Sequence, residues 1–212
     1  MQKILVHLTL RLHNFSYKLA SRLAIQAEGG LHPKHRLMNY HQFFLDHVTS
    51  SDRVLDIGCG NGALAYDLAG KAARVTGIDL REKNRTAWTG RFSRPNLTYQ
   101  VADATTFSPE ERFDVVVLSN VLEHIEHRPA FLESIKRLAP LFLIRVPMID
   151  RDWITLYKKG LGIEYRLDTT HFTEYTLDQF RYELEHAGLA IQTYSVQFGE
   201  IWAVVRLDSS NV

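Results

Sequence analysis

Three groups of residues in this sequence are of types that do chemistry. The first is a carboxylate ahead of a glycine loop: Asp56 stands two residues before Gly58-Cys59-Gly60-Asn61-Gly62. Glycines let the backbone turn tightly and approach a ligand with no side chain in the way. The helix expected from Ala63 turns its unpaired amides toward the same space. The second group is a series of polar residues, each expected at or just beyond the end of a strand: Asp79 after Val75-Thr76-Gly77-Ile78, Asp103 after Val101-Ala102, and Asn120 after Val115-Val116-Val117-Leu118-Ser119. The third supplies bases. Glu123-His124 follows Asn120 closely, and Asp168 and His171 lie in Glu164-Tyr165-Arg166-Leu167-Asp168-Thr169-Thr170-His171. Histidine titrates near neutrality and is the usual proton acceptor, so His171 is the first candidate base and His124 the second, with Asp168 beside them.

The glycines alone do not choose a ligand. Gly58-x-Gly60-x-x-Ala63 also satisfies the dinucleotide fingerprint, with Asp79 as the acid on a ribose, which keeps an NAD-dependent oxidoreductase in view. Asp56 weighs against it. A carboxylate inside that turn would repel a pyrophosphate, yet it would accept hydrogen bonds from the ammonium of an amino-acid ligand.

The elements that must position these residues follow an alternating pattern from Arg53 onward. Strands are expected over 53–57, 74–79, 97–101, 113–119, 141–146, 189–197 and 201–207, with helices over 63–70, 82–92, 128–138 and 177–187. Thr176 with Gln179 is a start signal for the last helix and Gly188 a stop. The pattern is α/β: a Rossmann-like three-layer sandwich with a seven-stranded, mostly parallel sheet and an antiparallel last strand. Ligands of such sheets sit beyond the carboxyl ends of the strands, where the residues above lie.

Around this core we expect an N-terminal helical cap over 1–48, a main domain over 49–212, and within it a substrate-binding insertion over 147–175. The insertion carries no clear period, and compact domains rarely keep so long a connection without a use for it. In the cap, Leu8, Leu12, Phe15, Leu19, Leu23 and Ala24 recur at a helical spacing up to Gly29-Gly30. They predict a helix over 5–27 packed on the core; a substrate lid or a basic helix lying on a membrane surface are the alternatives. A second helix is expected over 33–48.

The 212 residues suffice for one domain with decoration, and the net charge of +1 gives no general reason to expect nucleic acid. Basic residues form no stripe along the chain and no RNA-binding module is visible. They do gather at the start: up to Tyr40, Lys3, Arg11, Lys18, Arg22, Lys34 and Arg36 face one acid, Glu28. Cys59 is the single cysteine, so an internal disulfide is excluded and a cytoplasmic location is the simplest expectation. No run reaches the roughly 18 apolar residues of a membrane span. Ile4-Leu5-Val6 after Lys3 is broken by His7, Arg11 and His13 and is not read as a signal peptide.

From Arg53 to about Ile125 these motifs, in this order, resemble the core of class I S-adenosylmethionine-dependent methyltransferases. The resemblance implies S-adenosylmethionine as cofactor and S-adenosylhomocysteine as product. Asp56, Gly58, Cys59, Gly60 and Gly62 would line its methionine and ribose. Asp79, with Leu80 after it, would take the ribose hydroxyls, Asp103 and Ala104 the adenine, and Asn120 would sit near the sulfonium. In related enzymes a basic residue of a leading helix reaches the methionine carboxylate; in His32-Pro33-Lys34-His35-Arg36 the first candidate is Arg36 and the second His35. Some small-RNA ribose methyltransferases and quinone O-methyltransferases carry Glu-x-x-Glu-His where this chain has Asn120-x-x-Glu123-His124. The amide in place of the first carboxylate weakens divalent binding, and no metal is assigned. Residues 171–176 with the helix after them resemble small methyltransferases of bacterial biosynthetic pathways, and residues 27–36 resemble those of surface-polysaccharide clusters, which points to a sugar hydroxyl. Trp153, Tyr157, Tyr165 and Phe172 would then stack on the ring, and Lys158, Lys159 and Arg166 would meet a phosphate. The leading expectation is O-methylation of a small or carbohydrate acceptor. RNA ribose or N-methylation, the oxidoreductase and a non-catalytic cofactor-binding subunit stay open, as do homo-oligomerisation and membrane contact through the first helix.

Overall fold

The computed structural model describes residues 1–30 and 32–208 of the chain; Leu31, inside the polysaccharide-type stretch, lies outside them. Seven strands form one sheet in the order β3-β2-β1-β4-β5-β7-β6. They are β1 (Arg53–Ile57), β2 (Arg74–Asp79), β3 (Leu97–Val101), β4 (Val115–Ser119), β5 (Leu141–Pro147), β6 (Leu189–Gln197) and β7 (Glu200–Leu207). β1 to β5 run parallel, and β7 enters antiparallel between β5 and β6. The expected architecture is therefore present, with the last strand inserted rather than added at an edge.

Central strands read as continuous apolar runs because both faces are covered. Leu55, Ile57, Val116 and Leu118 pack on one face with Phe131, Leu132, Phe180 and Leu184, from α6 (Arg128–Ile135) and α8 (Leu177–His186). Their strand neighbours Val54, Val115 and Val117 pack on the other face with Phe44, Leu64, Leu68 and Trp88, from α3 (Tyr40–Asp46), α4 (Ala63–Ala69) and α5 (Arg85–Thr89). The alternation follows from side chains pointing to opposite faces at successive positions. β1 pairs with β2 on one side and β4 on the other. The switch point therefore lies between β1 and β4, where Asp56 is the last residue but one of β1 and Ser119 ends β4.

Four local expectations need correction. The helix expected over 33–48 is two, α2 (Lys34–Met38) and α3, broken at Asn39 with φ of 45°; asparagine tolerates this left-handed conformation better than most residues. The helix expected over 82–92 is a short 3-10 turn, Glu82–Asn84, followed by α5. The insertion is not structureless: it holds α7 (Trp153–Gly160), whose N-cap Asp152 accepts a hydrogen bond from the Thr155 amide at 2.6 Å. Its base is closed by Ile149 N–H to the Tyr175 carbonyl at 2.9 Å and Tyr175 N–H to the Pro147 carbonyl at 3.0 Å. The fourth concerns α1 (Gln2–Ala27), which forms as a helix but faces the other way. Leu8, Leu12, Phe15, Leu19 and Leu23 are exposed, and Leu10 is its buried residue. No described helix is long and apolar enough to cross a membrane.

Candidate active site

The glycine loop is held from three sides. Cys59 N–H donates to the Ile78 carbonyl at 2.9 Å, the Trp88 indole N–H to the Gly60 carbonyl at 2.9 Å, and the Tyr99 hydroxyl to the Gly62 carbonyl at 3.2 Å. Trp88 and Tyr99 stack with their ring planes 2° apart. Gly58, Gly60 and Gly62 all have positive φ. At Gly58 a Cβ would come within 2.8 Å of Val121 Cγ2, which explains that glycine by packing. At Gly60 the nearest atom would be 3.9 Å away, on Arg81. There the missing side chain leaves open space beside the cavity lined by His35, Tyr40, His41, Asp56, Gly60 and Ser119.

Asp56 is 1% exposed and its Oδ2 has no hydrogen-bond partner. Burial, reinforced by the charge of Asp79, pushes its carboxyl up to about 8. Asp79 goes the other way. Burial raises it, but Arg81 through side chain and backbone, together with Gly60 N–H at 2.9 Å, outweighs burial and holds it below its usual range. Two carboxylates at adjoining strand ends are thus driven apart: one ionised and satisfied, one buried and lacking a partner. A cationic amino-acid group in this cavity would supply that partner. Leu80 follows Asp79 and is exposed. Asp103 is exposed and accepts from the Thr105 amide at 2.8 Å and hydroxyl at 2.7 Å, so its carboxylate shapes the turn, with Ala104 inside it. Asn120 sits at φ 56° with a buried, unpartnered Oδ1.

The basic segment behaves differently from expectation. Arg36 points outward to Glu28 at 2.7 Å, while His35, the second candidate, lines the cavity. His35 accepts or donates at Nδ1 to the Tyr40 hydroxyl at 2.9 Å. Burial, then the charges of His41, Lys34 and Arg145, lower its pKa to about 4, which keeps it neutral. Lys34 is half-buried and lowered by burial and Arg145. Behind them Arg145, at the end of β5, pairs with Glu200, its Nη2 lying 2.8 Å from Oε1, reaches Ser119 Oγ at 3.3 Å, and lies 3.9 Å over the Tyr40 ring. None of Lys34, Tyr40, Arg145 and Glu200 is marked by a motif. The basic segment was the one available signal, and its helical phase decides that Arg36 turns outward.

A second cluster lies at the start of the loop after β4. Glu123, His124 and His171 each offer a ligand atom, all within 4.8 Å of one another. The two imidazoles meet edge to face at 4.7 Å. Glu123 is fully buried with both oxygens unpartnered, and burial pushes its carboxyl up to about 8. The insertion reaches this loop through Phe172 N–H to the Glu123 carbonyl at 2.7 Å. His171 Nδ1 is 3.0 Å from Glu174 Oε1. Burial raises Glu174, but His171, Arg151 and the Leu167 amide outweigh it and keep it ionised. An ionised carboxylate only accepts, so His171 Nδ1 donates to it, and in the neutral imidazole that tautomer leaves the lone pair on Nε2. Thr170 Oγ1 lies 3.0 Å from His124 Nδ1 and donates to Asp168 at 2.9 Å. Asp168 therefore reaches His124 through Thr170 and stands one residue back from the cluster. Among the proposed acceptor contacts, Lys158 is taken by Asn14 and Arg166 by Glu164, while Trp153, Tyr157 and Phe172 are exposed.

A profile of the methyltransferase domain matches residues 30–194. The chain belongs to the methyltransferase domain family. It is 30% identical over 152 residues to a ubiquinone biosynthesis O-methyltransferase of Rhodopseudomonas palustris, covering 68% of this chain and 60% of that protein. The chain spans about half the length of other curated relatives it matches. Among solved structures it is similar to the small RNA methyltransferase HEN1, with TM-score 0.67 and 19% identity over 81% of this chain and 25% of that one. It is also similar to the N-methyltransferase NodS of Bradyrhizobium japonicum in complex with S-adenosylhomocysteine, with TM-score 0.62 and 17% identity over 82% and 86% of the two chains. These two likenesses concern the fold, which is that of the class I methyltransferases.

Proposed function

We propose that the chain is an S-adenosylmethionine-dependent O-methyltransferase for a small hydroxylated acceptor. The buried, unpartnered Asp56 carboxylate at the switch point carries the cofactor half of this reading. Asp56 and Gly58–Gly62 would hold its amino-acid and ribose part, Asp79 the ribose hydroxyls, Asp103 and Ala104 the adenine end, and His35 with Lys34, rather than Arg36, its carboxylate. When bound, the cofactor supplies a methyl group activated on a sulfonium. The acceptor hydroxyl must lose a proton as its new O–C bond forms. His171 Nε2, fixed by Glu174, is placed to take it, with His124 alongside.

The oxygen acceptor draws support from the name of the Rhodopseudomonas relative, and the sugar from no comparison; an aromatic hydroxyl fits the exposed Trp153, Tyr157 and Phe172 as well as a sugar ring does. The cap over 1–48 and the insertion over 147–175 would bound the acceptor side. Calorimetric titration tests the core of this: S-adenosylhomocysteine should bind and NAD should not. Tight NAD binding without S-adenosylhomocysteine binding would refute it.

A second reading concerns a divalent cation at Glu123, His124 and His171, favoured by the unpartnered Glu123 oxygens and by Glu174, whose carboxylate holds His171 Nδ1 and turns the other ring nitrogen toward the cluster. Such an ion would lower the pKa of an acceptor hydroxyl. Glu174→Gln should weaken cobalt binding about 10–100-fold, read from the absorption spectrum of the cobalt-loaded protein. A wild type that binds no cobalt would leave proton removal to His171 alone.

A further inference from the structure

Helix α1 is amphipathic in an inverted sense. At about 100° per residue, Leu5, Leu8, Leu12, Phe15, Leu19 and Leu23 fall on one stripe, and every one of them is exposed. The opposite face, toward the protein, is anchored through polar groups. The Asn14 side chain donates to the Glu164 carbonyl at 2.7 Å, Lys158 Nζ donates to Asn14 Oδ1 at 2.7 Å, and Ser21 meets His32 at 3.0 Å. A helix serving only to cover the core would turn its leucines inward. This one is fixed so that they point out.

Charge on the helix identifies what such a face fits. It carries Lys3, Arg11, Lys18 and Arg22 and no acid. Arg11, Lys18 and Arg22 run along one edge of the leucine stripe, where long basic side chains can lay their stems on the apolar surface and send their charge outward. The protein as a whole is nearly neutral at +1, so this concentration belongs to the helix. A second copy of the same face would bring the same cations and no acid to answer them. A surface that is apolar below and anionic above answers both features.

We propose that α1 docks the enzyme on anionic lipid bilayers, lying in the headgroup plane with the leucine stripe inserted. Through Asn14 the helix is tied to Lys158 on α7 and to Glu164, and hence to the insertion that carries His171. α7 itself exposes Trp153, Leu156 and Tyr157, the aromatic and apolar types that settle at a membrane–water boundary. The acceptor side of the enzyme is therefore the side held to the bilayer, and acceptors dissolved in or anchored to it are within reach. Docking itself does not depend on the identity of the methyl acceptor.

The test is flotation of the full chain with phosphatidylcholine vesicles, with and without about one-third phosphatidylglycerol. Three proteins are compared: wild type, Leu8→Gln/Leu12→Gln/Phe15→Gln, and Arg11→Gln/Lys18→Gln/Arg22→Gln. Wild type should float with the anionic vesicles and stay behind with the neutral ones. Each cation near an anionic surface is worth about a five-fold change in partitioning, so the basic triple variant should bind on the order of 100-fold more weakly. The apolar variant should lose flotation while keeping its circular dichroism and S-adenosylhomocysteine affinity, since all three side chains are exposed. Wild type failing to float with anionic vesicles would overturn the proposal, as would an apolar variant that still floats. A wild type that is dimeric by light scattering, with a monomeric apolar variant and no vesicle binding, would instead assign the stripe to a second copy.

Discussion

Replacing Asp56 by asparagine should stabilise the cofactor-free protein near neutral pH while removing its cofactor affinity. The folded carboxyl titrates at about 8 against 3.8 for the free side chain. A raised acid binds more protons in the folded state, so its effect is neutral below about pH 4 and grows as pH climbs toward about 8, where it levels off. At about pH 7 roughly three pH units separate the solution from the free value, a cost on the order of 4 kcal/mol. The amide gives up part of this, because a buried group without a full set of partners costs about 1–3 kcal/mol. A net gain of about 1–3 kcal/mol for Asp56→Asn at about pH 7 follows, vanishing or reversing near about pH 4. Urea denaturation of both proteins across that range measures it. Saturating S-adenosylhomocysteine at about 100 times its Kd should add about 2.7 kcal/mol to wild type and little to the variant. Parallel stability curves for the two proteins between about pH 4 and about pH 8 would refute the assignment of an unpartnered carboxylate at this position.

Gly60→Ala should fold, at a cost of about 1 kcal/mol for the positive φ, yet lose S-adenosylhomocysteine binding in calorimetry because its Cβ projects into open space beside the cavity. Glu200→Gln leaves Arg145 charged and buried, and should cost about 3–5 kcal/mol in chemical denaturation. Thr176→Ala dissolves the capping box with Gln179 and should lower stability by about 1 kcal/mol, with cofactor affinity unchanged.

The sheet was legible because its central strands are apolar runs with polar residues at or near their ends, and the candidate site is built on those ends. Asp56, Asp79 and Asn120 could be placed from their position after such runs. What the linear pattern misled about was the direction of faces. Periodicity shows that Leu8, Leu12, Phe15, Leu19 and Leu23 share a side of a helix; it carries no information on whether that side meets protein or something else. Arg36 and His35 differ by one residue, about 100° of helical rotation, and that rotation sends one to Glu28 and the other to the cavity. Glu200 reads as a turn residue because it follows Gly199, and its role emerges only when antiparallel pairing sets β7 against the end of β5. Glu174 was hidden for a similar reason: His171 stands only three residues before it, but Arg151 is 23 residues away and reaches it only when the insertion closes on its base.

The insertion of β7 between β5 and β6 also governs how the molecule comes into being. Phe142, Leu143, Ile144 and Val146 of β5 end up fully buried, one edge on β4 and the other on β7. A growing chain makes β5 first, then the whole insertion, α8 and β6, and only afterwards the strand that closes the exposed edge. Throughout that interval an apolar strand carries a bare row of hydrogen-bonding groups, the condition under which nascent chains pair with one another. Non-local closure of this kind is slow, because the loop entropy is spent before the contacts form. Lesions in β7 should therefore appear in cells as insoluble protein rather than as a soluble enzyme of reduced activity.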